Sequence, residues 1–220
     1  MSGDLSHIEA VIWDLDGTLY RYTELFIAAC NHAAARTAID MGLQMEFDEA
    51  VIMATESERL YGSSFKLFAE RGLEYRDFHL PYHESVDVAV IEKNEEMKQG
   101  LEALDKPMVI LTNASRPWVM RMLGHLGYTH LFAPENIIAL EDNNFEAKAY
   151  HTTGFAKGLS ILKSDPDKTL MVEDLPRNLP KAKELGLKTA LVHHGQMPEM
   201  HGEHIDYLFQ NTLELVHALR

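Results

Sequence analysis

Two aspartates one residue apart, Asp14 and Asp16, close a short apolar run in the stretch AVIWDLDGTLY, Ala10 to Tyr20. A carboxylate at the edge of a buried strand is costly unless a cation or hydrogen-bond donors compensate it. Asp14 is suited to attack phosphorus and form an aspartyl phosphate, which divides hydrolysis into two easier steps. Asp16 can then protonate the leaving oxygen and later take a proton from the attacking water. Gly17 lets the backbone bend tightly enough for both carboxylates to face one site. Phosphate and carboxylate repel, so this chemistry requires cations. Mg²⁺ held by one or two carboxylates plus a substrate oxygen is the usual answer. MVEDLP supplies Glu173 and Asp174 after another apolar run, an acidic pair expected around a metal. Lys148 offers a fixed positive charge, and Thr112 and Asn113 offer a hydroxyl, an amide and main-chain N–H groups for phosphoryl oxygens.

The same residue types also serve in structures with no catalytic role. An Asp-x-Asp pair can simply make a turn. A calcium loop of the EF-hand type wants glycine at its sixth position and glutamate at its twelfth. Here the glycine is fourth and Leu25 is twelfth, so that pattern is rejected. His193, His194, His201 and His204 could bind zinc, but without helical spacing or a cysteine partner they read as a solvated loop. Arg116 and Arg177 lie about a turn beyond the motif residues, where they would touch phosphate or form surface ion pairs.

The elements that must position these groups alternate. AVIW, PMVILTNAS (Pro107 to Ser115), TLMVEDLP (Thr169 to Pro176) and KTALVHH (Lys188 to His194) are short continuous apolar runs, as expected of strands buried on both faces. NIIAL (Asn136 to Leu140) and YLFQN are weaker candidates. RPWVMRMLGHLG, with Ser115 as N-cap and Pro117 in its first turn, reads as a helix, as does NLPKAKELGLKT with Gly186 near its end. Strand–helix alternation predicts a doubly wound, mostly parallel α/β core. Ligands in such folds bind beyond the carboxyl ends of the strands, where Asp14, Thr112, Asn113, Glu173 and Asp174 all fall. Between Leu19 and about Lys93 the alternation gives way to helical periodicity. The predicted organisation is therefore an α/β core over 1–18 and 94–220 with a helical cap over 19–93 inserted after the first strand.

Composition narrows the function classes. The chain has 220 residues, 46% hydrophobic and 25% charged, as in a globular protein with a real core. A net charge of -14 argues against nucleic-acid polymers as partners, which call for a basic face. No apolar run reaches the roughly 18 residues of a membrane span, and no secretion signal is evident. A cytoplasmic protein is expected, a monomer or small homo-oligomer, acting on a small phosphorylated metabolite. The single cysteine, Cys30, sits among alanines and reads as a small buried hydrophobe.

DLDGTLY, LTN, Lys148 and VEDLPRN, in that order, resemble the four motifs of the haloacid dehalogenase superfamily of phosphohydrolases, from Val11 to about Val192. The resemblance implies a Rossmann-like core, a helical cap that selects substrate, and Mg²⁺ as cofactor. It implies Asp14 as nucleophile and metal ligand, and Asp16 as acid/base giving the metal its main-chain carbonyl. Thr112 and Lys148 would hold the phosphoryl group, while Asp174 would ligate Mg²⁺ with Glu173, directly or through water. The presence of Asp16 favours phosphate esters, because dehalogenase members lack the second aspartate. Two departures are visible: Lys148 is followed by Ala149 rather than proline, leaving Lys157 as its competitor, and the fourth motif opens Glu-Asp rather than Asp-Asp. LYGSSFKLF (Leu60 to Phe68), FHLPYH (Phe78 to His83) and Asn178 are similar to the pyrimidine 5'-nucleotidase-like subgroup. That likeness implies a mononucleotide whose base stacks on Tyr20, Tyr22, Phe65 or Tyr82, with His79 and His83 near it or on a surface. A sugar-phosphate or phosphoglycolate phosphatase, or a phosphosugar mutase, is the alternative on the same core.

Overall fold

The computed structural model describes residues 4–195 and 202–220. The chain divides into two units, Met1–Arg21 with Lys93–Arg220, and Tyr22–Glu92. In chain order the elements are β1 (Ala10–Trp13), α1 (Glu24–Asp40), α2 (Phe47–Tyr61), α3 (Lys66–Ala69), α4 (Tyr75–Ser85), α5 (Glu95–Glu102), β2 (Met108–Leu111) and α6 (Arg116–Leu126). They continue with β3 (Ile137–Ile138), α7 (Thr153–Leu162), β4 (Thr169–Glu173), α8 (Pro180–Glu184), β5 (Lys188–Val192), β6 (Tyr207–Phe209) and α9 (Thr212–Leu219).

The apolar runs form one six-stranded sheet, ordered β3-β2-β1-β4-β5-β6, and every pairing is parallel. β1, β2, β3 and β4 are buried along their whole length, which is why they read as continuous apolar runs rather than alternating ones. Ile12, Leu111, Ile138, Phe155, Met171 and Leu191 join one cluster of buried side chains, each contributing about 1.5–3 kcal/mol by leaving water. Helix α7 lies close on this sheet because it carries Gly158: a Cβ there would sit 2.8 Å from Ile12 Cδ1. Strand order changes direction between β1 and β4, so a crevice is expected at their carboxyl ends.

Ser115 caps α6, its hydroxyl accepting from Trp118 N at 3.4 Å, and Gly127 ends that helix in the left-handed region. Leu19, Tyr20 and Arg21, assigned to the inserted segment from sequence, belong to the first unit. The Leu19 amide donates to the Leu15 carbonyl at 2.9 Å and the Tyr20 hydroxyl bonds Asp16, which ties these residues to the strand they follow.

The second unit is helical, built on α1 to α4. Ala34, Ala35 and Ala38 of α1 meet Ala50 and Ala54 of α2 in its core, and small side chains let the two helices approach closely. Phe65, Phe68 and Phe78 fill the rest, with the Phe65 and Phe78 ring centroids 4.6 Å apart. Of the aromatics expected to stack a base, this packing takes Phe65 and Tyr82 into the core, while Tyr22 is exposed. Phe65 is buried, and Tyr82 stacks on Phe78 at 5.5 Å as part of the same core. His79 and His83 are also buried rather than displayed, and burial depresses the His83 pKa to about 3. Cys30 is only half-buried, not a core residue. Among the described residues no helix is long and apolar enough to cross a membrane.

Candidate active site

The sheet register carries the first acid into place. Trp13 pairs with Val172, and the Asp14 amide continues the ladder by donating to the Val172 carbonyl at 2.9 Å. Asp14 therefore sits beside Glu173, the last residue of β4, and both side chains are buried. The chain then turns: Gly17 adopts φ +86°, and a Cβ at that position would run into the Asp174 carboxylate. Glycine is required twice over, for the left-handed backbone and for this approach. Gly17→Ala is expected to cost about 1–3 kcal/mol of stability and to displace Asp174, seen as a lowered denaturation midpoint together with lost activity. An alanine variant as active and stable as the parent would show that the turn tolerates a side chain.

Further bonds fix the loop after β1. The Thr18 hydroxyl donates to Asp14 Oδ2 at 3.2 Å, the Thr212 hydroxyl to the Thr18 carbonyl at 2.6 Å, and His194 Nε2 to the Gly17 carbonyl at 2.6 Å. That last bond leaves His194 half-buried against the loop, with burial lowering its pKa. His193 accepts the Gly195 amide through Nδ1 at 3.1 Å. His201 lies outside the described residues.

Lys148 is the cation of the site. It is 2% exposed; its ammonium is ion-paired to Asp14 Oδ1 and lies 2.7 Å from Glu173 Oε2. It arrives on the turn before α7, where Asn144 and Phe145 both take positive φ (55° and 61°). Asn143 Nδ2 braces that turn on the Glu146 carbonyl at 2.6 Å. Asn113 contributes by accepting the Lys148 amide at 3.0 Å through its Oδ1. Lys157, the sequence competitor, lies elsewhere, its ammonium bonded to the Asp142 carbonyl. Arg116 is likewise spent away from any phosphate position, at 2.7 Å from the Ile137 carbonyl and 2.5 Å from Asp142 Oδ2. Arg177 is exposed.

Four carboxyl groups, Asp14, Asp16, Glu173 and Asp174, crowd against this one ammonium, so charge is unbalanced. Burial first, and then the Glu173 charge, push the Asp14 pKa up to about 8 in spite of Lys148. The same two causes raise Asp174. Burial opposes the Lys148 charge, but Asp14 and Glu173 outweigh it and hold the lysine protonated. Carboxylate oxygens of Asp14, Glu173 and Asp174 all lie within 4.8 Å of one another. Asp174 Oδ1 is buried without a hydrogen-bond partner. Glu173 is otherwise engaged: Oε1 accepts Asn178 Nδ2 at 2.8 Å, and Oε2 faces Lys148. An oxygen-only cluster with excess negative charge and an orphaned carboxylate oxygen suits a hard divalent cation.

Residues 11–192 match the haloacid dehalogenase-like hydrolase family. The chain belongs to that family. Over 97% of its length and 97% of the relative's, it is 25% identical to a glyceraldehyde 3-phosphate phosphatase of Methanocaldococcus jannaschii. Two solved structures share the fold. One is a HAD phosphatase from Thermococcus onnurineus, 20% identical with TM-score 0.66, covering 96% of this chain and 98% of that one. The other is a predicted phosphoglycolate phosphatase from Haemophilus somnus, 17% identical with TM-score 0.69, covering 97% and 99%.

Within this haloacid dehalogenase-like chain, Asp16 has partners that sequence reading missed. Trp118 Nε1 donates to Asp16 Oδ1 at 2.7 Å, and the Tyr20 hydroxyl donates to the same oxygen at 2.5 Å. Tyr20, expected as a base-stacking surface, is thus 6% exposed and committed to the acid. Burial raises the Asp16 pKa, and these donors oppose the rise. Thr112 Oγ1 stands 3.5 Å from Asp16 Oδ2 and accepts the Ala114 amide at 3.0 Å. The signal for Trp118 was its place in the first turn of α6, at the tip of the strand that carries Thr112. Nothing in the sequence said that the indole points at Asp16.

Proposed function

We propose that this phosphatase of the haloacid dehalogenase-like family hydrolyses small phosphate monoesters through an aspartyl phosphate on Asp14. The observation that carries the reading is the buried Asp14 carboxylate, held on Lys148 at the end of β1 with Asp16 two residues away. In the first step an Asp14 oxygen attacks phosphorus while Asp16 gives its proton to the departing ester oxygen. In the second, Asp16 takes a proton from the water that attacks the phosphoenzyme, and inorganic phosphate leaves. Lys148 and the Thr112 hydroxyl bind and orient phosphoryl oxygens. Asp14, Asp174 and the Asp16 main-chain carbonyl would hold Mg²⁺, with Glu173 behind them, steadying Lys148. The ion would supply charge neutralisation and Lewis-acid polarisation of the phosphoryl group.

Short phosphorylated carbon chains are favoured over mononucleotides. Of the four aromatics that would stack a base, Phe65 and Tyr82 are packed in the helical core and Tyr20 is bonded to Asp16, which leaves Tyr22 as the exposed ring among them. The similarity to a glyceraldehyde 3-phosphate phosphatase supports the same choice. Inorganic phosphate release from a panel of glyceraldehyde 3-phosphate, phosphoglycolate, hexose phosphates and pyrimidine mononucleotides tests the reading. The expected result is release from the short esters that stops with EDTA and returns with Mg²⁺. Release from none of them, or conversion to an isomeric ester without free phosphate, would overturn it.

A further inference from the structure

Asp16 Oδ1 accepts two strong donors, Tyr20 at 2.5 Å and Trp118 at 2.7 Å. Its other oxygen has only the long contact of 3.5 Å from Thr112 Oγ1. From this asymmetry we infer that Trp118 and Tyr20 are positioning residues that set which oxygen of Asp16 handles the proton, reserving Oδ2 for the ester oxygen. The inference rests on the phosphatase reading above.

A carboxyl oxygen already accepting two N–H or O–H donors cannot bear a proton without giving up one of them. The proton of the acid form therefore resides on Oδ2. Both donors are fixed by their own surroundings. Trp118 is 3% exposed and its amide is anchored on the Ser115 hydroxyl. Tyr20 is joined to Asp16 by a backbone bridge as well as by its hydroxyl. The bland alternative is that a buried indole needs any acceptor. Trp13 argues against such a need here, because its Nε1 is buried with no partner. Two donors converging on one oxygen also exceed what satisfying an indole requires. Rotation of the carboxyl about its last bond would exchange the two oxygens, and it is this rotation that the pair blocks.

The consequence is measurable through the leaving group. As the Asp14–phosphorus bond forms and the ester P–O bond breaks, an alkoxide must receive the proton from Asp16, whereas a nitrophenolate departs without it. kcat/KM reports steps up to that departure, so it isolates this function from phosphoenzyme hydrolysis. Tyr20→Phe keeps the ring and removes only the donor, and Trp118→Phe removes the donor while replacing the indole with a smaller aromatic ring. In either variant kcat/KM for an alkyl phosphate is expected to fall about tenfold further than for p-nitrophenyl phosphate, a fraction of what a general acid contributes. The double variant should widen the gap. Equal losses on both esters, or no loss on either, would reduce the pair to packing and overturn the inference. Circular dichroism and melting curves check folding, and Tyr20→Phe decides alone if Trp118→Phe does not fold. Absence of hydrolysis by the parent protein would instead reject the phosphatase reading, and the inference with it.

Discussion

Replacing Asp14 by asparagine is expected to lower kcat by at least about 10⁴-fold on every phosphate ester the parent hydrolyses, because the amide cannot form the phosphoenzyme. Acid-quenched protein from turnover with labelled substrate should carry phosphate in the parent and none in the variant. Turnover within about tenfold of the parent would remove Asp14 from the reaction. The same substitution has a separate signature in stability. In the metal-free protein the Asp14 pKa stands at about 8, above its unfolded value, through burial and the neighbouring Glu173. The folded state then binds more protons than the unfolded one between those two values. The resulting stability is present at low pH and is lost as pH rises toward 8. Asp14→Asn deletes this titration, so its denaturation midpoint should fall less between pH 5 and pH 8 than that of the parent. A steeper fall in the variant would contradict the charge imbalance described for the cluster.

Removing the cation is expected to have the largest structural effect. Lys148→Met keeps an unbranched stem but leaves Asp14 and Glu173 buried with no opposite charge between them. Breaking one side of a buried ion pair costs about 3–5 kcal/mol, because the remaining charge is stranded rather than resolvated. Urea denaturation near pH 8 without metal should show a loss of that size, and kcat should drop by about 10²–10³-fold as phosphoryl stabilisation disappears. The sign of the pH dependence follows from the same charges. Without Lys148, which opposes the rise caused by burial and the Glu173 charge, Asp14 holds its proton still more tightly in the folded state than in the unfolded chain. The deficit relative to the parent must therefore shrink as pH falls toward 5, where Asp14 becomes neutral. A variant as stable as the parent at pH 8 would show that the acids are relaxed by water instead of by Lys148.

How the four acids come together explains what could be read from the chain alone. Apolar runs of four or five residues ending in Asp14, Thr112 and Glu173–Asp174 are local signals. In a parallel sheet, strands buried on both faces necessarily bring their carboxyl ends to one edge. Pairing, in contrast, depends on long-range geometry. Lys148 reaches Asp14 across 134 positions on a turn made by two left-handed residues, Asn144 and Phe145, which no hydrophobic period encodes. Asn113 illustrates the same limit: its type suggested a phosphate donor, but its Oδ1 supports the Lys148 amide.

What the sequence by itself determined is the order of chemistry-bearing strand ends and the helical insertion, because both are written in short-range polarity and periodicity. The sequence already favoured Lys148 over Lys157, but only tertiary structure set the Lys148 ammonium between Asp14 and Glu173. Tertiary structure alone turned Phe65 and Tyr82 into packing and aimed Trp118, 102 positions away, at one oxygen of Asp16. Those outcomes depend on where side chains point once distant segments are packed. That direction is fixed by competition among burial, charge and hydrogen bonding over the whole unit, not by neighbours in the chain.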